Sequence, residues 1–142
     1  MMINKLTEDV SVAPQITVDD IPAIAAAGFK TIICNRPDGE EFAQVACGEI
    51  EAAAKAHGIT FSHQPVVSGQ INLEDVTDFK ALLNASEKPL LAYCRSGTRC
   101  AVLWAFSQAG STPTEAIVKT TQNAGYDLSG LTGALAAAAE QQ

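Results

Sequence analysis

The sequence predicts an α/β fold, a single domain over residues 1–142 in which a mostly parallel sheet of about four to five strands carries helices on both faces. Short apolar, β-branched runs such as Phe29–Cys34 and Leu90–Tyr93 alternate with alanine-rich stretches of helical length. Turn formers (Gly, Asn, Pro, Asp) close nearly every one of these segments. No repeat, linker or shift of composition divides the 142 residues, a length at which one domain buries a substantial core.

In chain order, Asp9–Pro14 reads as a short edge strand ended by its proline. Thr17 suits a helix N-cap, and a helix runs from Val18 to Ala27 with Asp19 and Asp20 in its first turn. Pro22 is tolerated near that start, and Gly28 ends the helix. Phe29–Cys34 is a central strand by its β-branched content, followed by the turn-rich Asn35-Arg36-Pro37-Asp38-Gly39-Glu40. Phe42–His57 reads as an alanine-rich helix closed by Gly58, and Ile59–Val67 as a third strand with rough alternation. Val67–Gln70 is a crossover loop. Asn72 caps a helix over Leu73–Leu83 with Asp75 at the third position of a capping box. After Lys88-Pro89 come the strand Leu90–Tyr93, a loop, and a helix on which Trp104 and Phe106 read as core. A further helix starts at Thr112–Glu115 and runs to about Asn123, ended by Gly125. Leu131–Gln142 forms an alanine-rich terminal helix.

The chemistry concentrates at Cys94-Arg95-Ser96-Gly97-Thr98-Arg99. A buried strand feeding a helix N-terminus presents unpaired N–H groups to its loop, which is an anion site. Arg95 and Arg99 add charge and forked donors, while Gly97 lets the backbone turn inward. A cysteine facing such a loop loses its proton readily, and the thiolate is the nucleophile. Cys94 and Arg99 are therefore the expected catalytic pair, with Arg95, Ser96, Gly97 and Thr98 holding the anion. Asn35, Arg36 and Asp38 follow a strand expected to lie parallel to that of Cys94, where ligand sites of open sheets collect, and form a candidate rim. Cys100 reads as a small buried side chain or as a resolving thiol. Cys34 and Cys47 read as packing, His63 as a half-buried polar residue, and His57 as a helix C-terminal residue without chemistry.

The CRSGTR loop resembles that of rhodanese-type sulfurtransferases, in which four residues separate Cys from Arg. Cysteine-dependent phosphatases have five, and here the corresponding position is Cys100. Three blocks in order, SVAPQITVDDIPAIAAAGFKTIICNRPDGEE, PVVSGQI and LLAYCRSGTRCAVLWA, are similar to the beta-lactamase-hydrolase-like phosphatase-like domain family (DUF442), also labelled a sulfurtransferase family. The resemblance covers roughly residues 8–110. It implies a dual-specificity-phosphatase-like (phosphotyrosine phosphatase II-like) fold, and it supports the rim, since NRPDGE is one of its blocks.

The loop length puts sulfur transfer first: a donor such as thiosulfate would load a Cys94 persulfide, and a thiol acceptor would collect the sulfur. The alternative is a cysteine-dependent phosphatase or hydrolase acting through a phosphocysteine at Cys94. Its drawback is the missing acid, because Ser62–Gln70, where the resemblance implies an aspartate, contains no Asp or Glu. A non-catalytic persulfide or anion carrier is the third reading. No metal or cofactor is expected, since no CxxC or paired His–Cys spacing occurs. The ligands expected are a small anionic sulfur donor or a phosphate-like group. A net charge of −7 argues against nucleic acid, and short apolar runs argue against a membrane. The start of the chain lacks a signal-peptide core, so a reducing cytoplasmic location is expected, with a dimer as one oligomeric option.

Overall fold

In the computed structural model, which describes residues 1–141, five strands form one sheet in the order β1-β2-β5-β3-β4. The strands are β1 (Asn4–Lys5), β2 (Val10–Ala13), β3 (Thr31–Cys34), β4 (Thr60–His63) and β5 (Leu90–Tyr93). The helices are α1 (Ile21–Ala26), α2 (Cys47–Ala56), α3 (Leu73–Ala85), α4 (Thr98–Ser107), α5 (Thr114–Asn123) and α6 (Thr132–Glu140). All neighbouring strands are parallel except β1, which runs antiparallel to β2. The mostly parallel α/β architecture expected from the alternation is the one observed.

The two-residue period of the strands sorts the core into two layers. Leu90, Ala92 and Cys94 pack with Val10, Val12 and Ile33 against Phe79 of α3, Leu103 and Trp104 of α4, Ile117 of α5 and Leu135 of α6. Leu91 and Tyr93 face the other way, with Ala13, Ile32 and Cys34, against Ile21 and Ile24 of α1 and Ile50 and Ala54 of α2. Removing a fully buried leucine such as Leu91 from such a layer costs about 2–5 kcal/mol.

Several boundaries differ from the sequence reading. Asp9–Pro14 does not lie at the edge, because β1 pairs outside it; a two-residue strand is too short to show periodicity. The helix expected at Val18 begins as a 3-10 turn, Val18–Asp20, before α1. The strand expected over Ile59–Val67 is regular only over Thr60–His63, although Gln64 and Val66 still donate to Cys34 O and Asn35 O. The helix expected from Phe42 starts five residues later. Ala43 adopts φ +60°, Gln44 closes the preceding loop by bonding the backbone of Pro37, Glu40 and Glu41, and Asp38 accepts the Cys47 N–H at 2.8 Å, the group that opens α2. The terminal helix begins at Thr132 after a 3-10 turn, Ser129–Leu131; Gln142, its expected last residue, lies outside the described residues. The capping box of α3 is present, Asn72 and Asp75 bonding each other's backbone N–H groups.

One register line positions everything that follows. Ala13, Tyr93, Cys34 and His63 are paired across β2, β5, β3 and β4 as the last residues of their strands. The residues one or two positions beyond, Gln15, Cys94, Asn35, Arg36 and Gln64, therefore emerge together at the carboxyl edge of the sheet.

Candidate active site

Cys94 leaves the end of β5 with its N–H donated to Ala13 O at 3.3 Å and its side chain fully buried. The loop curls over the sulfur so that Gly97 N–H donates to Sγ at 3.1 Å. Gly97 is required twice. Its φ is +93°, and a Cβ there would stand 2.1 Å from the Tyr126 hydroxyl oxygen. Tyr126 braces the loop from outside, donating to Ser96 O at 3.1 Å while Asn4 Nδ2 donates to the phenol oxygen at 2.9 Å.

These contacts shift the thiol. A hydrogen bond from the Cys100 thiol, with the backbone N–H groups of Cys100, Gly97 and Arg99, outweighs burial and holds Cys94 at about 5. Cys100, fully enclosed and facing that sulfur, is pushed the other way by burial and by its bond to Cys94. The opposite directions of the two shifts place the negative charge of the pair on Cys94.

Arg99, at the first turn of α4, is buried and points to the loop after β3. Its Nη1 and Nη2 donate to the two oxygens of Glu40 at 2.7 and 2.9 Å, and Nη1 also donates to Val66 O at 3.0 Å. The bond to Arg99 is the main reason the Glu40 carboxyl sits below its ordinary range. Glu40 is shared with Arg36, whose Nε donates to it at 2.9 Å. Arg36, only 3% exposed, also donates to Gln15 at 2.9 Å and to Glu41 at 2.6 Å, and Glu41 accepts Arg95 Nε at 2.9 Å. A continuous chain Arg95–Glu41–Arg36–Glu40–Arg99 therefore rims the loop.

Of the three expected rim residues, Arg36 joins that chain. Asn35 is fully buried beside it, its N–H donating to Tyr93 O and its amide to Gln64 O. Asp38 turns to Cys47 and His63 instead, and no bond among the described residues joins it to the arginine chain. Glu40, Glu41, Gln15, Tyr126 and Asn4 were not singled out as site residues by sequence. The acids of NRPDGEE, beside a loop with two arginines, were the available signal for Glu40 and Glu41. Arg95, Ser96, Thr98 and Arg99 line an open cleft of roughly 490 Å³ together with Val102 of α4 and with Ser68, Gly69 and Ile71 from the segment after β4.

Residues 2–111 match the profile of the beta-lactamase hydrolase-like protein, phosphatase-like domain. The chain belongs to this family. Beta-lactamase hydrolase-like proteins of Agrobacterium fabrum and Xylella fastidiosa are 34% and 32% identical over 105 and 108 residues, which is 74% and 76% of this chain. The match spans only about a quarter of those relatives, 24% and 25% of their lengths. A candidate phosphatase from Neisseria meningitidis of known structure is 43% identical, covers 97% of this chain and 99% of its own, and superposes with a TM-score of 0.88. A DUF442 candidate phosphatase from Shewanella putrefaciens, at 17% identity, covers 98% of this chain and 87% of its own and shares the fold with a TM-score of 0.74. The domain thus has the phosphatase-like fold that the resemblance implied. The comparisons also reverse the order drawn from loop length. They support the cysteine-dependent phosphatase reading, which had come second, over sulfur transfer.

Proposed function

We propose that the chain is a cysteine-dependent phosphatase acting on phosphate esters with good leaving groups. The observation that carries it is the Cys94 sulfur, held at about 5 beneath inward-facing N–H groups, with the Arg99 guanidinium fixed by Glu40 at the same cradle. The family's description as phosphatase-like, and a structural neighbour described as a candidate phosphatase, support the choice of phosphate over sulfane sulfur.

In this reading the non-bridging oxygens of the substrate take hydrogen bonds from the loop amides and from Arg99, which neutralise charge in the transition state. The Cys94 thiolate attacks phosphorus, the P–O bond to the leaving group breaks, and a phosphocysteine forms. Water then attacks phosphorus, the S–P bond breaks, and phosphate departs with the thiolate restored. Substrate selectivity follows from the far wall. Ser68 and Gly69 face the loop across the cleft, and Ser62–Gln70 offers no carboxylic acid to protonate the departing oxygen. Leaving groups that depart as stable anions, such as phenolates, are therefore favoured over alkoxides.

The test is phosphate release from an aryl phosphate and from an alkyl phosphate, alongside thiosulfate with cyanide, each with Cys94→Ser as blank. Aryl phosphate turnover that vanishes in the variant is expected. Thiocyanate production without phosphate release would overturn the reading in favour of sulfur transfer.

A further inference from the structure

We propose that Asp38, Cys47 and His63 form a zinc-type divalent-cation site that pins the loop between β3 and α2. The three residues come from separate places in the chain: the loop after β3, the first residue of α2, and the last residue of β4. Cys47 Sγ lies 3.3 Å from Asp38 Oδ2 and 3.2 Å from His63 Nδ1. One ligand atom from each residue lies within 4.8 Å of the others, and the group is open to solvent at Asp38 and His63.

Two features go beyond a chance polar cluster. His63 Nε2 lies 3.0 Å from the carbonyl oxygen of Arg36, which can only accept, so Nε2 carries the proton and Nδ1 presents its lone pair to Cys47. A ligating histidine is oriented in this way by its other nitrogen. The proton count is the second feature. Asp38 Oδ2 and His63 Nδ1 are both acceptors facing one sulfur, and the thiol has one proton to share between them. A cation replacing that proton satisfies all three atoms, and a thiolate, a carboxylate and an imidazole balance a divalent charge.

The dimensions fit. Tetrahedral zinc with bonds of about 2.3 Å to sulfur and 2.0–2.2 Å to nitrogen and oxygen places the sulfur roughly 3.5 Å from its co-ligands, so the two distances from the sulfur, 3.3 and 3.2 Å, open by only a few tenths of an ångström. Water completes the fourth position from the solvent side. The site also has a structural consequence, because the loop it anchors at Asp38 is the loop that delivers Glu40 and Glu41 to the arginines.

Titration of the purified chain with Co²⁺, followed by competition with Zn²⁺, tests this directly. One equivalent of Co²⁺ should give a thiolate-to-cobalt charge-transfer band and the intense visible bands of four-coordinate cobalt, and Zn²⁺ should abolish both. The bands should persist in Cys94→Ser, disappear in Cys47→Ser, and need on the order of 10-fold or more metal in Asp38→Asn. Circular dichroism of each variant verifies folding, and His63→Asn gives a second ligand deletion if Cys47→Ser does not fold. No band in the wild type, or a band that survives Cys47→Ser or His63→Asn but not Cys94→Ser, overturns the proposal.

Discussion

Replacing Glu40 by Gln tests whether the rim is a structural lock as well as a catalytic one. The glutamate accepts three charge-assisted bonds, at 2.7 and 2.9 Å from Arg99 and 2.9 Å from Arg36. Both guanidiniums are buried, 7% and 3% exposed, while the Glu40 side chain is 23% exposed. Removing one partner of a buried pair costs about 3–5 kcal/mol, chiefly by stranding the other charge. Partial access of water to Glu40 puts the expected loss at the low end, about 3 kcal/mol. At about 2–4 °C per kcal/mol for a chain near this length, Tm should fall by roughly 6–12 °C. Arg99 then loses its fixed orientation, and a misplacement of about 1 Å lowers kcat/KM on the order of 10²-fold. Urea and thermal unfolding followed by circular dichroism give the stability; aryl phosphate hydrolysis gives the rate. If Glu40→Gln melts within about 2 °C of the wild type, less than 1 kcal/mol on this scale, and keeps its kcat/KM, the clamp does neither job.

Four further outcomes follow from the same geometry. Cys94, lowered from 9.0 to about 5, should give a kcat/KM that rises with pH through about 5, seen in the rate profile or by the ultraviolet absorbance of the thiolate. Because its folded value is depressed, its contribution to stability is complete above the unfolded value and is lost as pH falls through the folded one. Unfolding of wild type against Cys94→Ser should therefore show a difference growing by about 1.4 kcal/mol per pH unit between those two values. Cys100→Ala removes the leading donor to that sulfur, so the profile should move up by about one to two pH units, as expected for a bond to a charged group. Gly97→Ala should cost at least about 1–2 kcal/mol from the left-handed backbone alone and abolish turnover; Tyr126→Phe should not rescue it, because the ring carbon also stands 2.9 Å from the new Cβ.

What the sequence made legible was local. Asn72 and Asp75 lie three apart and form the capping box they predict. Glycines 28, 58 and 125 end helices at positive φ. The strand–loop–helix around Cys94 follows from a short apolar run meeting a small-residue turn. What was not legible depends on contacts distant in sequence. Glu40 meets Arg99 across 59 positions, and Asn4 meets Tyr126 across 122. Cys47 and His63 are 16 apart and neither belongs to a short paired motif such as CxxC, yet they meet because α2 begins beside the end of β4. The late start of α2 has the same origin. Composition favours helix from Phe42, but Gln44 and Asp38 spend their side chains on loop backbone and set the first turn at Cys47.

The charge balance of the rim explains how the arginines near the loop are neutralised from within the chain while an anion can still be admitted. Arg36, Arg95 and Arg99 carry three positive charges; Glu40, Glu41 and the Cys94 thiolate carry three negative ones. The members are unequal in exposure. Arg36 and Arg99 are enclosed, but the Arg95 and Glu41 side chains are 68% and 45% exposed. An exposed pair contributes at most about 1 kcal/mol, so an incoming dianion can draw Arg95 away from Glu41 at little cost while the buried pairs stay intact. Arg99 is thus held in place before the substrate arrives, and Arg95 is the arginine free to close on it. With a net charge of −7 for the chain, long-range steering does not favour an anion, so on the proposed reading any attraction of a phosphate group toward Cys94 is short-ranged and confined to the loop.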